Sequence, residues 1–154
     1  MYYIAHRGNL NGRIPERENK PDYILEAINA GYDCEIDVWL IDNMFYLGHD
    51  KPETSIPFEF LSENKDKLWV HCKNKNALLK LIKCDINCFY HSKDRYTLTS
   101  KLIVWGNINS ELGSDCICVM PELYDNVLTD IELLRCGGIC SDYIEHYFKC
   151  LYIN

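Results

Sequence analysis

The chain has 154 residues, of which 47% are hydrophobic and 25% are charged, as expected for one ordinary globular domain. Its formal net charge is −7 and it has no block of basic residues, which argues against nucleic acid as a partner. We expect no transmembrane segment and no secretory signal, because no apolar run is long enough and the first residues lack that pattern. Nine cysteines without a Cys-x-x-Cys pair favour free thiols in a reducing, cytoplasmic setting over a zinc site.

The first apolar run, residues 2–5, ends in three residues that carry polar chemistry: His6, Arg7 and Gly8. A polar segment over residues 9–20 follows and contains Glu18 and Asn19, so we expect a loop there. Pro21 suits the first turn of a helix, and apolar residues recur at helical spacing until Gly31. The chain therefore begins as strand, loop and helix.

Residues 34–41 are rich in β-branched and aromatic residues and predict a strand. Side chains two apart on a strand point the same way, so Glu35 and Asp37 share one face. Adjacent carboxylates repel each other unless a cation or a proton lies between them, and their oxygens are ligands for hard cations. The alternative is a hairpin whose solvated face carries both acids. A turn at residues 42–43 and a second apolar run then lead to His49 and Asp50.

The strand predicted over residues 68–73 places His71 and Lys73 on one face, and Asn76 is predicted to cap a helix over residues 77–83. Three further apolar runs predict strands, and the first of them ends in His91. Late in the chain, Glu122 and Asp142 follow apolar runs and could face a site. The remaining elements that we expect are short helices or turns over 58–67 and 96–101, a helix over 123–135 and a helix over 143–152.

Eight strand candidates, most followed by a helix or a tight connection, predict a mostly parallel sheet in an α/β fold. We expect a single domain over residues 1–154, a compact (β/α)8 TIM-type barrel with short or missing helices. Barrel active sites form at the C-terminal ends of strands. Four histidines end apolar runs in this way: His6, His49, His71 and His91.

The ordered series of His6-Arg7-Gly8, Glu18-Asn19, Glu35-x-Asp37 and His49-Asp50 resembles the glycerophosphodiester phosphodiesterase family. That family carries the motifs HRG, EN, ExD and HD in the same order. The chain is similar, more distantly, to the sphingomyelinase D and bacterial phosphatidylinositol phospholipase C barrels. The resemblance implies a metal-dependent hydrolase in lipid metabolism, with a small glycerophosphodiester or a related phospholipid head group as its substrate.

The resemblance also implies a role for each matching residue. His6 and His49 would be the general acid and base, while Arg7 and Lys73 would bind the substrate phosphate. Glu35 and Asp37 would bind a divalent cation, Mg²⁺ or Ca²⁺. The supporting residues would be Glu18, Asn19 and Asp50. Each role is chemically sensible, because phosphodiester cleavage needs a proton acceptor, a proton donor and positive charge at the non-bridging oxygens.

The departure from the family pattern is His71, which stands where the family has a third carboxylate. Either it is a ligand, which favours Mn²⁺ or Zn²⁺, or it lies outside the metal shell and water completes that shell. Two other functions remain open at this point. One is a catalytically inactive barrel that binds a phosphate-bearing ligand or a partner. The other is a lyase that forms a cyclic phosphate product.

Overall fold

The protein folds around one mixed β-sheet, and the computed structural model describes residues 1–107, 111–123 and 129–152. The sequence predicts the early strands closely, because β-branched and aromatic residues bounded by turns build each of them. Within the described residues the sheet has ten strands: β1 (Tyr2–His6), β2 (Asp33–Ile41), β3 (Met44–Leu47), β4 (Thr54–Ile56), β5 (Leu68–Cys72), β6 (Cys88–Phe89), β7 (Tyr96–Leu98), β8 (Val104–Asn107), β9 (Cys116–Val119) and β10 (Gly138–Ser141).

The helices are short, and three of them begin at a residue suited to a helix N-terminus. Pro21 opens the first helix, and the Asn74 side chain caps the third by accepting from the backbone N–H of Ala77. Thr129 and Glu132 form a capping box on the fourth. The helices are α1 (Pro21–Asn29), α2 (Phe58–Glu63), α3 (Lys75–Lys83), α4 (Asp130–Leu133) and α5 (Ile144–Tyr152).

Seven strands run parallel, in the order β6-β5-β2-β1-β10-β9-β8. Strand β2 is nine residues long and therefore serves two partnerships. Its first part pairs with β1 and β5, whereas its last residues pair with β3 in an antiparallel hairpin that β4 extends. Strand β7 adds an antiparallel edge to β8.

The prediction of a closed (β/α)8 barrel is wrong. Over the described ranges no strand pairing joins β6 to β7 or β8, so the sheet stays open. The reason is local, because β6 has two residues and pairs along one edge, and β3, β4 and β7 are antiparallel strands in place of barrel units. The sheet still curves, since the rings of Phe89 and Trp105 on β6 and β8 lie 4.6 Å apart.

The two faces of the sheet have different surroundings. The outer face packs against the helices through residues such as Ile24, Ile36 and Leu81. The inner, concave face carries a second cluster that includes Ile4, Trp69, Phe89 and Trp105. Because side chains alternate along β2, Ile36 faces the helices, and Glu35 and Asp37 face the concave side.

Three smaller sequence predictions also need correction. Asn74, not Asn76, caps α3. Residues 96–101 contain strand β7 and no helix. The helix expected over 123–135 is shorter within the described residues, where α4 covers Asp130–Leu133, and residues 124–128 lie outside them. None of the helices in the described part of the chain has the length and apolar character that crossing a bilayer requires.

Candidate functional site

The charged residues gather where the C-terminal ends of β1, β2, β5 and β10 lie side by side. Sheet register brings them together, because His6 pairs with Glu35 and Asp37 pairs with His71 across neighbouring parallel strands. Residues in register on parallel strands point to the same face. Lys73 follows β5 directly, and Asp142 follows β10.

Asp37 is the centre of this cluster and is fully buried. Its Oδ2 lies 2.9 Å from Arg7 Nε and accepts from Asn19 Nδ2 at 2.9 Å. Its Oδ1 lies 3.1 Å from His71 Nδ1 and 3.3 Å from Lys73 Nζ. Burial acts to raise the pKa of Asp37, but the His71 ring and the positive charges of Arg7 and Lys73 hold it well below its usual range. Asp37 is therefore a buried carboxylate ion.

Glu35 is buried as well, but it lacks comparable partners. Its Oε1 lies 4.0 Å from His71 Nδ1, and its Oε2 lies 3.9 Å from His6 Nε2. Burial, followed by the nearby charge of Asp37, raises the pKa of Glu35. The burial of both carboxyl groups rules out the alternative of a solvated hairpin face.

One atom from each of Glu35, Asp37 and His71 lies within 4.8 Å of the others, so these residues could hold a metal ion. Glu35 Oε2 and Asp37 Oδ1 are buried and have no hydrogen-bond partner among the described residues, although Asp37 Oδ1 lies at ion-pair distance from two cations. Two carboxylates and an imidazole suit a divalent metal. The donor set therefore fits a cation.

His6 is held by a residue from the far end of the chain. Its Nδ1 lies 2.7 Å from Asp142 Oδ1, which also accepts from Asn9 Nδ2 at 2.8 Å. Burial acts to lower the pKa of His6, but the Asp142 contact and the charge of Glu35 outweigh it and raise the pKa. Glu122 Oε1 accepts from the Asp142 backbone N–H at 2.7 Å. The imidazole is thus held through Nδ1, with Nε2 on the side of Glu35.

Glu18 and Asn19 support the cluster from the loop before α1. Glu18 accepts from Arg7 Nη1 at 3.1 Å and from Arg13 Nε at 2.8 Å. The Asn19 side chain bonds Asp37 twice, donating to its carboxylate and accepting from its backbone N–H. Arg7 and Asn19 both have positive φ, and this strained backbone brings the two segments together.

The structure does not bring His49 and Asp50 into contact with this cluster. The His49 side chain is 43% exposed, and its Nδ1 lies 2.7 Å from Asp50 Oδ1. The loop is nevertheless tied to the site, because the Gly48 N–H donates to the Asp37 carbonyl at 3.1 Å. Of the residues to which the family resemblance gives a role, these two alone lie outside the cluster.

Sequence reasoning missed the part that Asn9 plays. Asn9 is fully buried, and its Nδ2 donates to both Glu18 and Asp142. Its Oδ1 accepts from the Tyr23 hydroxyl and from the Ile14 N–H. The signal that the sequence offered was its position directly after Gly8. In the structure Gly8 has a φ of +92° and lies close to Tyr23, and this backbone conformation places Asn9 in the interior.

His91 is a second neighbour that lacked an assigned role. Its ring stacks on His71 with centroids 4.6 Å apart, and its carbonyl lies 3.4 Å from His71 Nε2. Burial, together with the charges of His71 and Lys73, lowers the pKa of His91 to about 4. His91 therefore stays neutral near neutral pH and fixes the His71 ring by stacking.

Comparisons of this chain with protein-family models, with curated proteins and with solved structures found no match. The resemblance to the phosphodiesterases therefore depends on the four short motifs and on the geometry of the residues that carry them.

Proposed function

We propose that this protein is a metal-dependent phosphodiester hydrolase that acts on glycerophosphodiesters or related phospholipid head groups. One observation carries the proposal: Glu35, Asp37 and His71 converge in a buried group next to His6. Four carboxylates lie in or beside this cluster together with three cations: Glu18, Glu35, Asp37 and Asp142 with Arg7, Lys73 and the exposed Arg13. A cation bound between Glu35 and Asp37 would offset the repulsion between these two carboxyl groups and add positive charge for an anionic substrate.

Glu35, Asp37 and His71 would hold the cation. When bound, it stabilises negative charge on the non-bridging oxygens of the phosphate. The buried Oε2 of Glu35, which has no hydrogen-bond partner among the described residues, supports this assignment, because such an atom is costly unless a ligand satisfies it.

His6 suits the role of general acid. Asp142 holds Nδ1, so Nε2 is the nitrogen that exchanges a proton with the substrate. The pKa of His6 is raised by Asp142 and Glu35 against the effect of burial, which favours the protonated ring that a general acid needs to donate to the leaving oxygen. His49 would act as the base for the attacking water, from an exposed position outside the cluster.

Arg7 and Lys73 would bind the phosphate. A guanidinium has five N–H donors, and the contacts of Arg7 with Asp37 and Glu18 use only part of them. Lys73 contributes a point charge. Both cations are held beside Asp37, so the positive charge is positioned before the substrate arrives.

A second candidate is a catalytically inactive protein that binds a phosphate-bearing ligand. The specific observation in its favour is the exposed position of His49 and Asp50, which leaves one imidazole in the cluster for acid-base work besides His71. Under this proposal the cluster binds the ligand but does not cleave it.

Hydrolysis of bis(p-nitrophenyl) phosphate with Mg²⁺, Ca²⁺, Mn²⁺ or Zn²⁺ tests the proposal. We expect activity that depends on an added metal and falls by about two orders of magnitude or more in Glu35→Gln. Glu63→Gln, which changes an exposed carboxylate on α2, is the matched control and should keep wild-type activity. Phosphorus NMR on glycerophosphocholine then separates a hydrolase from a lyase by the presence of a cyclic product.

A folded wild-type protein that is inert with every metal yet binds inorganic phosphate would favour the inactive protein. Equal activity of the two glutamate variants would contradict the proposed metal site.

A further inference from the structure

Helix α3 has an outer face that combines apolar and basic side chains. Its inner residues Ala77 and Leu81 are fully buried, whereas Leu79 and Ile82 are 48% and 49% exposed. Lysines flank the two apolar residues, at positions 75, 80 and 83, and all three are exposed. The helix contains no acidic residue, although the chain as a whole has a net charge of −7. This composition is typical of a helix that lies on an anionic lipid surface.

The β2–β3 turn extends this face. Met44 at the start of β3 is 53% exposed and Ile41 at the end of β2 is 36% exposed. Between the turn and the helices lies a groove of about 690 Å³, with Lys80 in its lining. Its apolar lining includes Leu40, Met44, Phe45, Ile56 and Phe58.

A second groove of about 470 Å³ adjoins the first. The two share Leu40, Asn43 and Lys80, and the second reaches Leu79 and Lys83 on α3. Asp42 is the acidic residue in their linings. We call the outer face of α3, the β2–β3 turn and these grooves the α3–hairpin surface.

The α3–hairpin surface is joined directly to the candidate site. Asn74 caps α3 and also bonds both backbone groups of Leu40 in β2, at 3.3 Å and 3.0 Å. The residue before it, Lys73, contacts Asp37 in the cluster. Two consecutive residues therefore connect the buried charges to the exposed surface.

We propose that the α3–hairpin surface docks the protein on anionic lipid bilayers. The lysines of α3 lie against lipid phosphates, Leu79 and Ile82 enter the interface, and the apolar groove accepts part of an acyl chain. Charge complementarity carries the choice of partner, since basic residues cluster here on an otherwise acidic chain. The apolar groove favours lipid over an acidic peptide, because a peptide that binds by its charge would contact the lysines and leave the groove empty. Docking requires no catalysis, so it goes beyond the proposed hydrolase activity.

Co-sedimentation of the full chain with lipid vesicles, in chelator and without added metal, tests the docking. We expect partition onto vesicles of phosphatidylcholine with phosphatidylglycerol, weak partition onto phosphatidylcholine alone, and release at high salt. The double variant Lys80→Glu/Lys83→Glu should lower the partition coefficient by about 30-fold or more. Leu79→Ser/Ile82→Ser should lower it by roughly tenfold.

Matched controls use exposed residues away from the surface. Lys51→Glu/Lys93→Glu makes the same charge change, and Ile131→Ser/Leu134→Ser removes two exposed apolar residues of the α4 region. Circular dichroism checks that every variant is folded. Both control variants should partition as the wild type does.

Three outcomes overturn the docking proposal. The first is wild-type protein that does not distinguish anionic from neutral vesicles, and the second is variants of the surface that partition like their controls. The third is binding to soluble polyglutamate that is as tight as binding to vesicles and insensitive to Leu79→Ser/Ile82→Ser, which identifies an acidic protein partner. Because no turnover is measured, these outcomes are independent of the hydrolase assay.

Discussion

Among the residues that the structure describes, two histidine–aspartate pairs make the same short contact in opposite surroundings. In His6–Asp142 and in His49–Asp50 the Nδ1 and Oδ1 atoms are 2.7 Å apart. The side chains of the first pair are 16% and 8% exposed, whereas those of the second are 43% and 91% exposed. The first pair joins residues 136 positions apart, and the second joins neighbours. Distance alone therefore does not distinguish a positioned group from a surface contact.

The surroundings make the difference. Asp142 is itself held by Asn9 and, through its backbone, by Glu122, so it can fix the His6 ring in one orientation. Asp50 is surrounded by water, which competes for its oxygens and screens its charge. Asp142 can therefore set the protonation of His6, whereas Asp50 contributes little to holding the His49 ring.

Replacing each histidine gives the largest expected effect. His6→Ala and His49→Ala should each lower turnover of an aryl phosphodiester by about two to four orders of magnitude, because each removes an acid or a base. His146→Ala, an exposed histidine on α5, is the control and should be unaffected. Full activity of His49→Ala would contradict the role of His49 as the base and leave His6 as the single catalytic histidine of the two.

Replacing the aspartates sharpens the comparison itself. Asp142→Asn should lower turnover by about 10- to 100-fold, because the amide no longer holds His6 in the required state. Asp50→Asn should change turnover by less than about threefold, since exposed pairs contribute little. Steady-state kinetics on both variants measure this difference. Equal losses of turnover in the two variants would mean that the exposure of each aspartate does not determine how much it contributes to turnover.

The buried region also contains His71, which has no counterpart near His49. His71→Glu adds one negative charge beside Glu35 and Asp37 and should tighten Mg²⁺ binding by about tenfold, with any preference for Mn²⁺ or Zn²⁺ reduced. Calorimetric titration of each metal into both proteins checks this. Unchanged affinity and selectivity would mean that His71 lies outside the metal shell.

The pH dependence of stability gives the smallest effect. The pKa of His6 is raised above 6.5, so its contribution is complete below about pH 6.5 and is lost as pH rises through the folded-state pKa. The pKa of Asp142 is lowered below 3.8, despite burial, by His6 and Asn9, so its contribution is present above about pH 4 and is lost as pH falls through the folded-state pKa. The pair therefore stabilises most between these limits.

Urea unfolding at about pH 5.5 and about pH 9 measures this. Asp142→Asn should lower the free energy of unfolding by about 1 to 2 kcal/mol at the lower pH and by less at the higher pH. Asp50→Asn should show no such dependence. If the loss in free energy of unfolding caused by Asp142→Asn grew as the pH rises, it would contradict the proposed stabilisation by the His6–Asp142 pair.

Local pattern was sufficient to predict most strands but not how they assemble. Alternation along β2 correctly placed Glu35 and Asp37 on one face, and the Asp42–Asn43 turn follows from residues that accept positive φ. Whether the sheet closes depends on β6, which has two residues, and on β7, which runs antiparallel. Short apolar runs look alike whether they pair in parallel or antiparallel, so sequence favoured a barrel.

The candidate site shows the same limit. The two-residue spacing predicts that Glu35 and Asp37 share one face of their strand and that His71 and Lys73 share one face of theirs, and register then aligns Asp37 with His71. The contact of Asp142 with His6 depends on β10 pairing beside β1, which no local pattern reveals. The position of His49 after an apolar run suggested an inward side chain, but the chain leaves the sheet after Leu47.

The most direct test of the central claim is calorimetric titration of Mn²⁺ into the wild type, Glu35→Gln and the control Glu63→Gln. We predict one ion bound per chain, affinity lowered by about tenfold or more in Glu35→Gln, and wild-type affinity in the control. Absence of Mn²⁺ binding to the folded wild type, or equal affinity in Glu35→Gln, would contradict a metal centre formed by Glu35, Asp37 and His71.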